Sequence, residues 1–283
     1  MYQAEAMRAH LHADLAQYWA LAGPLYSADP VLYTFELHLA ARLRQPDSDP
    51  PAALMTFTDL GHLVGAALGT SQGLVCNAIP AAGITAAVNL LADNAIPLPS
   101  VRGSRAVTLA VADAWLSRTG ATACGTTDER LYRLADLVTP RAVGEPLLVA
   151  AEEIESLVPW SIEYSRETFG VDKPADEARR WLIGSYRLGD VYLCWDHGGV
   201  PVAMAGVRAP IEGVSRVGPV YTPPPHRGHG YGSAVTAAAC EWARQAGARE
   251  IVLTTDLANP TSNSIYRKLG FRAVTDSVIV EFA

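Results

Sequence analysis

Apolar and polar positions along the chain change period several times, and each change marks an element. Tyr2 to Leu21 reads as an Ala-rich helix ending at Gly23-Pro24. Val31 to Gln45 reads as a second helix that stops before the proline-rich run Pro46 to Pro51. Leu54 to Thr58 and Leu63 to Leu68, joined by Asp59-Leu60-Gly61-His62, predict a β-hairpin, and Leu74-Val75-Cys76 a further strand. In the second half, Glu152 to Phe169 and Asp176 to Leu188 predict helices. Val191 to Trp195, the turn Asp196-His197-Gly198-Gly199 and Val200 to Val207 predict another hairpin.

The order helix, helix, hairpin thus occurs twice. At an offset of 137 residues Asp59 falls on Asp196, Gly61 on Gly198 and Ala66 on Ala203, the pattern of an internal duplication. Pro140 to Pro146, with Gly144, is the expected boundary, giving domains 1–140 and 141–283, the second opening with a strand at Leu147 to Val149.

The last third carries the densest local signals. Val214 to Tyr221 predicts a strand interrupted by Gly218-Pro219, and Pro223-Pro224-Pro225 an extended path without backbone donors. A glycine-rich turn, His226-Arg227-Gly228-His229-Gly230-Tyr231-Gly232, then opens a helix running to about Gly247, with Val235, Ala238, Trp242 and Ala246 as its apolar face. Ile251 to Thr255 predicts a buried strand, Thr261 to Leu269 a short helix, and Phe271 to Val274 and Val278 to Phe282 two closing strands.

Composition narrows the class. A chain of 283 residues with 49% hydrophobic and 18% charged residues has material for packed cores and the length for two domains. The net charge of −7 disfavours general attraction to nucleic acid or anionic membrane. Cys76, Cys124, Cys194 and Cys240 are widely spaced, which fits a reduced, cytoplasmic setting. The segment Met1 to Ala22 carries Glu5, His10, His12 and Asp14 and does not read as a signal peptide. The apolar stretch Leu63 to Leu91 is too interrupted to span a membrane.

A strand that passes through a glycine-rich turn into a helix gathers free amides and a positive helix end at one point, and such a point binds phosphate. Gly228, Gly230 and Gly232 let the backbone approach an anion, and Arg227 adds a charge-assisted contact. From His226 to Arg272 six basic residues face three acidic ones, so this segment carries +3 and the rest of the chain −10. Ser233 stands where the third glycine of a dinucleotide fingerprint belongs, and neither Lys173 nor Lys268 follows a glycine as a P-loop requires.

What remains is R-x-x-G-x-G at Arg227 to Gly232, followed by Asn259-Pro260-Thr261-Ser262-Asn263-Ser264-Ile265-Tyr266-Arg267-Lys268-Leu269-Gly270-Phe271. In this order and about 30 residues apart, the two segments resemble the acyl-CoA-binding core of the GNAT superfamily of N-acetyltransferases. The resemblance covers about residues 145 to 283, and the first half is similar in order to a second GNAT unit, as in tandem-GNAT proteins. There the phosphate-loop position reads Ile79-Pro80-Ala81-Ala82-Gly83, with no arginine and one glycine, so the N-terminal unit is expected to be degenerate.

The resemblance implies an α+β fold of two units, each a mixed, mostly antiparallel sheet flanked by helices. It implies acetyl-CoA as co-substrate, an amine of a small molecule or peptide as acceptor, and no metal. Val214 to Tyr221 and Ile251 to Thr255 would splay apart from a bulge at Gly218, with the pantetheine pairing along Pro219, Val220 and Tyr221 and a backbone N–H near Val220 facing the oxyanion. Arg227, Gly228, His229, Gly230, Tyr231 and Gly232 would hold the diphosphate. Asn263, Tyr266 and Arg267, at i, i+3 and i+4, would share a ligand face, with Asn259 and Asn263 bonding the pantetheine or capping the helix. Tyr266 is the expected general acid for the leaving thiolate, since a phenol of pKa about 10 is protonated at neutral pH. Glu163, Glu212 and Asp256 are candidates for the base. The other reading of the same motifs is a non-catalytic acyl-CoA-binding regulatory module.

Two further patterns fail on context. Gly69-Thr70-Ser71-Gln72-Gly73 matches the G-x-S-x-G elbow of serine hydrolases, but a strand rather than a helix follows it. The pairs His10-x-His12 and His226-x-x-His229 have no companion ligands at metal spacing.

Overall fold

The structure is a computed structural model and describes residues 7–283. In chain order the elements are β1 (Arg8–Leu11), α1 (Leu15–Ala28), α2 (Thr34–Leu43), β2 (Ala53–Asp59), β3 (His62–Thr70), β4 (Gly73–Val75), α3 (Ile84–Asp93), β5 (Ser100–Ser104), α4 (Arg105–Thr119) and β6 (Ala123–Leu134). They continue with β7 (Glu145–Val149), α5 (Val158–Phe169), α6 (Ala175–Arg187), β8 (Val191–Asp196), β9 (Pro201–Val207), β10 (Val214–Tyr221), α7 (Tyr231–Gln245), β11 (Glu250–Asp256), α8 (Pro260–Lys268) and β12 (Phe271–Phe282). Unit 1 comprises the described residues up to Leu131 with Asp256–Ala258 and Thr275–Ala283. Unit 2 comprises Tyr132–Thr255 and Asn259–Val274. Thus β12 begins in unit 2 and ends in unit 1, which a single division at 140/141 does not describe.

In unit 1, β1 to β4 form an antiparallel ladder, β4 runs parallel to β5, and β5 pairs antiparallel with residues 277–281 of β12. The core on one face joins Met55, Phe57 and Ala67 to Val88 and Leu91 of α3 and Val111 and Trp115 of α4. In unit 2, β7 to β10 form a second antiparallel ladder, and β11 joins β10 in parallel. Along β8, Tyr192 and Cys194 face a core with Val158, Ala178 and Leu182 from α5 and α6. Leu193 faces the opposite core with Val235, Ala239 and Ala243 of α7. Helices on both faces explain why β8 and β9 read as almost continuous apolar runs.

Both hairpins, both helices before the second one, and the mixed, mostly antiparallel sheets match the sequence reading. Several boundaries do not. The expected helix from Tyr2 lies partly outside the described residues, and Arg8–Leu11 is a strand paired with β2. The helix starts at Leu15 because Asp14 caps it, accepting from Gln17 N at 2.7 Å. It also runs through Pro24, where it forfeits one backbone bond but keeps Tyr18, Ala22 and Tyr26 fully buried. The helix expected from Glu152 opens as a 3₁₀ turn at Ala151–Ser156, and the α-helix follows with Pro159 in its first turn. Pro224–His226 is a 3₁₀ turn rather than an extended path, since His226 N finds Pro223 O at 2.9 Å. On α7 the deep stripe is Val235, Ala239 and Ala243, while Ala246 is exposed. The two closing strands are one strand, β12.

Among the described residues no helix is long and apolar enough to cross a membrane. All four cysteines are free thiols. Burial pushes Cys76 and Cys240 up to about 12 and Cys194 up to about 11, so at neutral pH none of these three is a thiolate nucleophile.

Candidate active site

The site grows from the way β10 leaves its neighbours. It pairs with β11 only over Val214↔Glu250, Ser215↔Ile251 and Arg216↔Val252. Against β9 its register shifts between Val217 and Val220, a bulge that contains Gly218 at φ +143° and the cis Gly218-Pro219 peptide. The facing position on β9 is Gly206, where a Cβ would come within 3.0 Å of both Gly218 O and Pro219 Cδ. Two parallel strands that begin paired therefore part at the bulge, and Pro219, Val220 and Tyr221 lie on the diverging stretch.

Beyond Tyr221 the chain enters the glycine loop. Gly228 and Gly230 have φ of +81° and +82°, and a Cβ at either would meet open space. The glycines thus serve backbone conformation and leave the loop surface bare. Gly230 is the N-cap of α7 and no side chain caps that helix, so its first-turn amides and positive end face the loop. Gly232 sits tighter, with Thr222 Oγ1 where its Cβ would be 3.1 Å away. Tyr231 is buried and stacks with the His229 ring at 5.5 Å. His226 and His229 hold no metal cluster, and no group of three metal-ligating side chains occurs among the described residues. His10 and His12 instead face Thr58 and Thr56 on β2.

Arg227 is already engaged. Its Nη2 donates to Glu167 Oε2 at 2.6 Å and its Nε to Thr222 O at 2.9 Å. The other oxygen of Glu167 accepts from the Tyr221 hydroxyl at 3.2 Å. Burial and the Glu167 charge raise the Tyr221 phenol above the ordinary tyrosine value. Sequence reading passed over Glu167. Its signal was the i, i+4 spacing with Glu163, which puts two carboxylates on one face of α5.

Helix α8 brings Tyr266 beside Phe271, with ring centroids 6.0 Å apart. Burial first, then the nearby Tyr164 and Cys240, hold the Tyr266 phenol well above its usual range. The two asparagines make bonds within the protein. Asn259 caps α8, accepting from Ser262 N at 3.0 Å. Asn263 is buried, accepts from Tyr132 Oη at 2.9 Å and donates to Asn259 O at 2.7 Å. Of Asn263, Tyr266 and Arg267, only Arg267, its Nε on Asn263 O, is exposed. The expectation of one shared ligand face for Asn263, Tyr266 and Arg267 is thereby narrowed, because Asn263 turns inward to satisfy Tyr132.

The three candidate bases have other engagements. Glu163 pairs with Arg166 at 2.8 Å, Glu212 lies exposed at φ +52°, and Asp256 Oδ1 accepts from Ala258 N in the turn before α8. Ser71 lies exposed in the turn between β3 and β4, so the strand-turn-helix of a hydrolase elbow is absent there.

Unit 1 repeats the parallel pair but closes it. Beyond Leu74↔Val101 and Val75↔Arg102, Asn77 reaches across: its Oδ1 accepts from Ser104 N and its Nδ2 donates to the buried Glu36, both at 2.8 Å. The Asn77 side chain thus bridges from the end of β4 to the end of β5, whereas β10 and β11 of unit 2 part after their paired residues.

Residues 154–271 match the family model described as Acetyltransferase (GNAT) family. The matched residues lie in the C-terminal half of the chain. Among solved structures, the whole chain is similar to a GNAT-family acetyltransferase from Colwellia psychrerythraea, at 13% identity over 98% of this chain and 100% of that one, TM-score 0.63. It is likewise similar to a tandem GNAT protein from the clavulanic acid biosynthesis pathway, at 14% identity over 98% of both chains, TM-score 0.60. A GCN5-related N-acetyltransferase from Kribbella flavida matches at 21% identity over 89% of this chain and 95% of that one, TM-score 0.57. At these identities the likeness is one of fold, and it extends to both units. No curated protein matches the sequence. The matched segment contains every element of the site from α5 through α8.

Proposed function

We propose that unit 2 transfers an acetyl group from acetyl-CoA to an amine of a small molecule or peptide, by direct attack in a ternary complex. The parting of β10 and β11 after three paired residues, directly before an uncapped helix N-terminus, carries this reading. The bare loop at Gly228 and Gly230 fits a diphosphate, because its open space and helix amides suit an anion and no side chain obstructs it. The loop Arg227 to Gly232 would hold the diphosphate. The free edge of β10 at Pro219, Val220 and Tyr221 would pair with the pantetheine, and a Val220 amide would stabilise the oxyanion.

In the chemical step the amine nitrogen bonds to the thioester carbon and the carbon–sulfur bond breaks. The proton lost by the amine goes to water or a base, and Tyr266 supplies the proton that the thiolate takes up. Asn259 and Asn263 support this step by fixing α8, on which Tyr266 stands. The amine must arrive neutral. A lysine-like amine is neutral in only about one molecule in a few thousand at pH 7, so its deprotonation shapes the pH profile.

Unit 1 is proposed to hold no donor, since Asn77 closes its parallel pair. Calorimetry is expected to give one acetyl-CoA per chain, with Arg227→Glu weakening it at least tenfold. Unaltered binding by that variant would remove the loop from the donor site. Thiol release across a panel of amines then tests catalysis, and binding without release would leave a non-catalytic acyl-CoA module.

A further inference from the structure

We propose that Glu167 is a built-in competitor of the donor's diphosphate for Arg227, displaced when the donor binds; this rests on the acyl-CoA reading above. Arg227 opens the R-x-x-G-x-G loop, yet its guanidinium is turned to the Glu167 carboxylate at 2.6 Å. Each oxygen of that carboxylate takes one donor. Oε2 takes Arg227, from the head of the loop, and Oε1 takes the Tyr221 hydroxyl, from the end of the diverging strand. The guanidinium also lies over the Tyr221 ring, 5.8 Å from its centroid. Glu167 therefore occupies the arginine at the junction where strand and anion loop meet.

Three features make this pair exchangeable. Its side chains are 47% and 39% exposed, so water and ions compete for both partners, and such a pair shifts an equilibrium constant only a few-fold. Glu167 stands in the last turn of α5, whose carbonyl end disfavours an anion, so the arginine offsets a local repulsion. The anion it imitates has a better site next door, at the uncapped first turn of α7, where amides add to the guanidinium. A diphosphate brings more charge than one carboxylate and gains both sets of donors.

The exchange has a directional result. Once Arg227 turns to the diphosphate, Glu167 keeps the Tyr221 hydroxyl and loses its cation. An uncompensated carboxylate then stands beside the parted strands only while the donor is present, and a cationic acceptor meets its counter-charge in that state.

A double-mutant cycle separates competition from general repulsion. CoA affinity is measured by calorimetry at one fixed salt concentration for the full-length wild type, Glu167→Gln, Arg227→Gln and the double variant. Glu167→Gln is expected to bind CoA about fivefold tighter than wild type, and the two Arg227→Gln proteins to bind it equally. Equal or weaker binding by Glu167→Gln would overturn the proposal. Tightening of the same size in both backgrounds would overturn it too, since the carboxylate would then act on the ligand directly. Failure of the wild type to bind CoA would instead remove the donor reading, and the competitor with it.

Discussion

Tyr266 and Asn263 lie three residues apart on α8 and do different work. The raised phenol of Tyr266 keeps its proton past the ordinary tyrosine value, so the acid form persists through neutral pH and on into mildly alkaline solution. Tyr266→Phe is expected to lower turnover about a hundredfold while changing CoA affinity less than about twofold, measured as kcat and as a calorimetric Kd. The wild-type rate should show no alkaline loss assignable to this group below about pH 10, and a descending limb there that vanishes in the variant would contradict the raised value. Asn263 instead satisfies a buried partner. Asn263→Ala strands the Tyr132 hydroxyl and should cost about 1–3 kcal/mol in urea unfolding. At this scale legibility followed sequence distance. The loop Arg227 to Gly232 was readable because its parts are contiguous. Glu167 was not, because its partner lies sixty positions away and only folding brings them together.

Elements were readable where one local signal dominated. Helix α7 follows Gly230, which at φ +82° takes the conformation that ends a turn and admits a helix, and the hairpins follow their Gly-containing turns. Elements were misread where local signals conflicted. Gly23-Pro24 reads as a stop, yet α1 continues because the tyrosines on either side of that dipeptide, Tyr18 and Tyr26, are buried and hydrogen-bonded to each other at 2.8 Å. The bulge in β10 could be anticipated from Gly218-Pro219, but its requirement on β9 could not. Gly206→Ala places a methyl group within 3.0 Å of Gly218 O and Pro219 Cδ. That substitution should destabilise unit 2 by about 1–3 kcal/mol and weaken CoA binding, read by thermal unfolding and calorimetry. Unfolding without any change in binding would separate the bulge from the site.

For the molecule as a whole, duplication was legible in the repeated order of helices and hairpin, and the likeness to tandem structures extends over both units. The allocation of the last strand was not, because one apolar run cannot reveal which neighbour it will choose. Val278 and Val280 are buried in the unit 1 core and pair with Gly103 and Val101 on β5. Removing residues 275–283 should therefore strip amide protection from β5, visible by hydrogen exchange, while sparing β8 and β9; intact protection of residues 100–104 would refute that allocation.

The same strand sets a timetable for synthesis. A ribosome delivers about 5–20 residues each second, so the first unit waits on the order of ten seconds for its final β partner to emerge. During that interval β5 offers an unclaimed edge, and the nascent protein is at its most vulnerable to strangers of β form until residues 275–283 emerge.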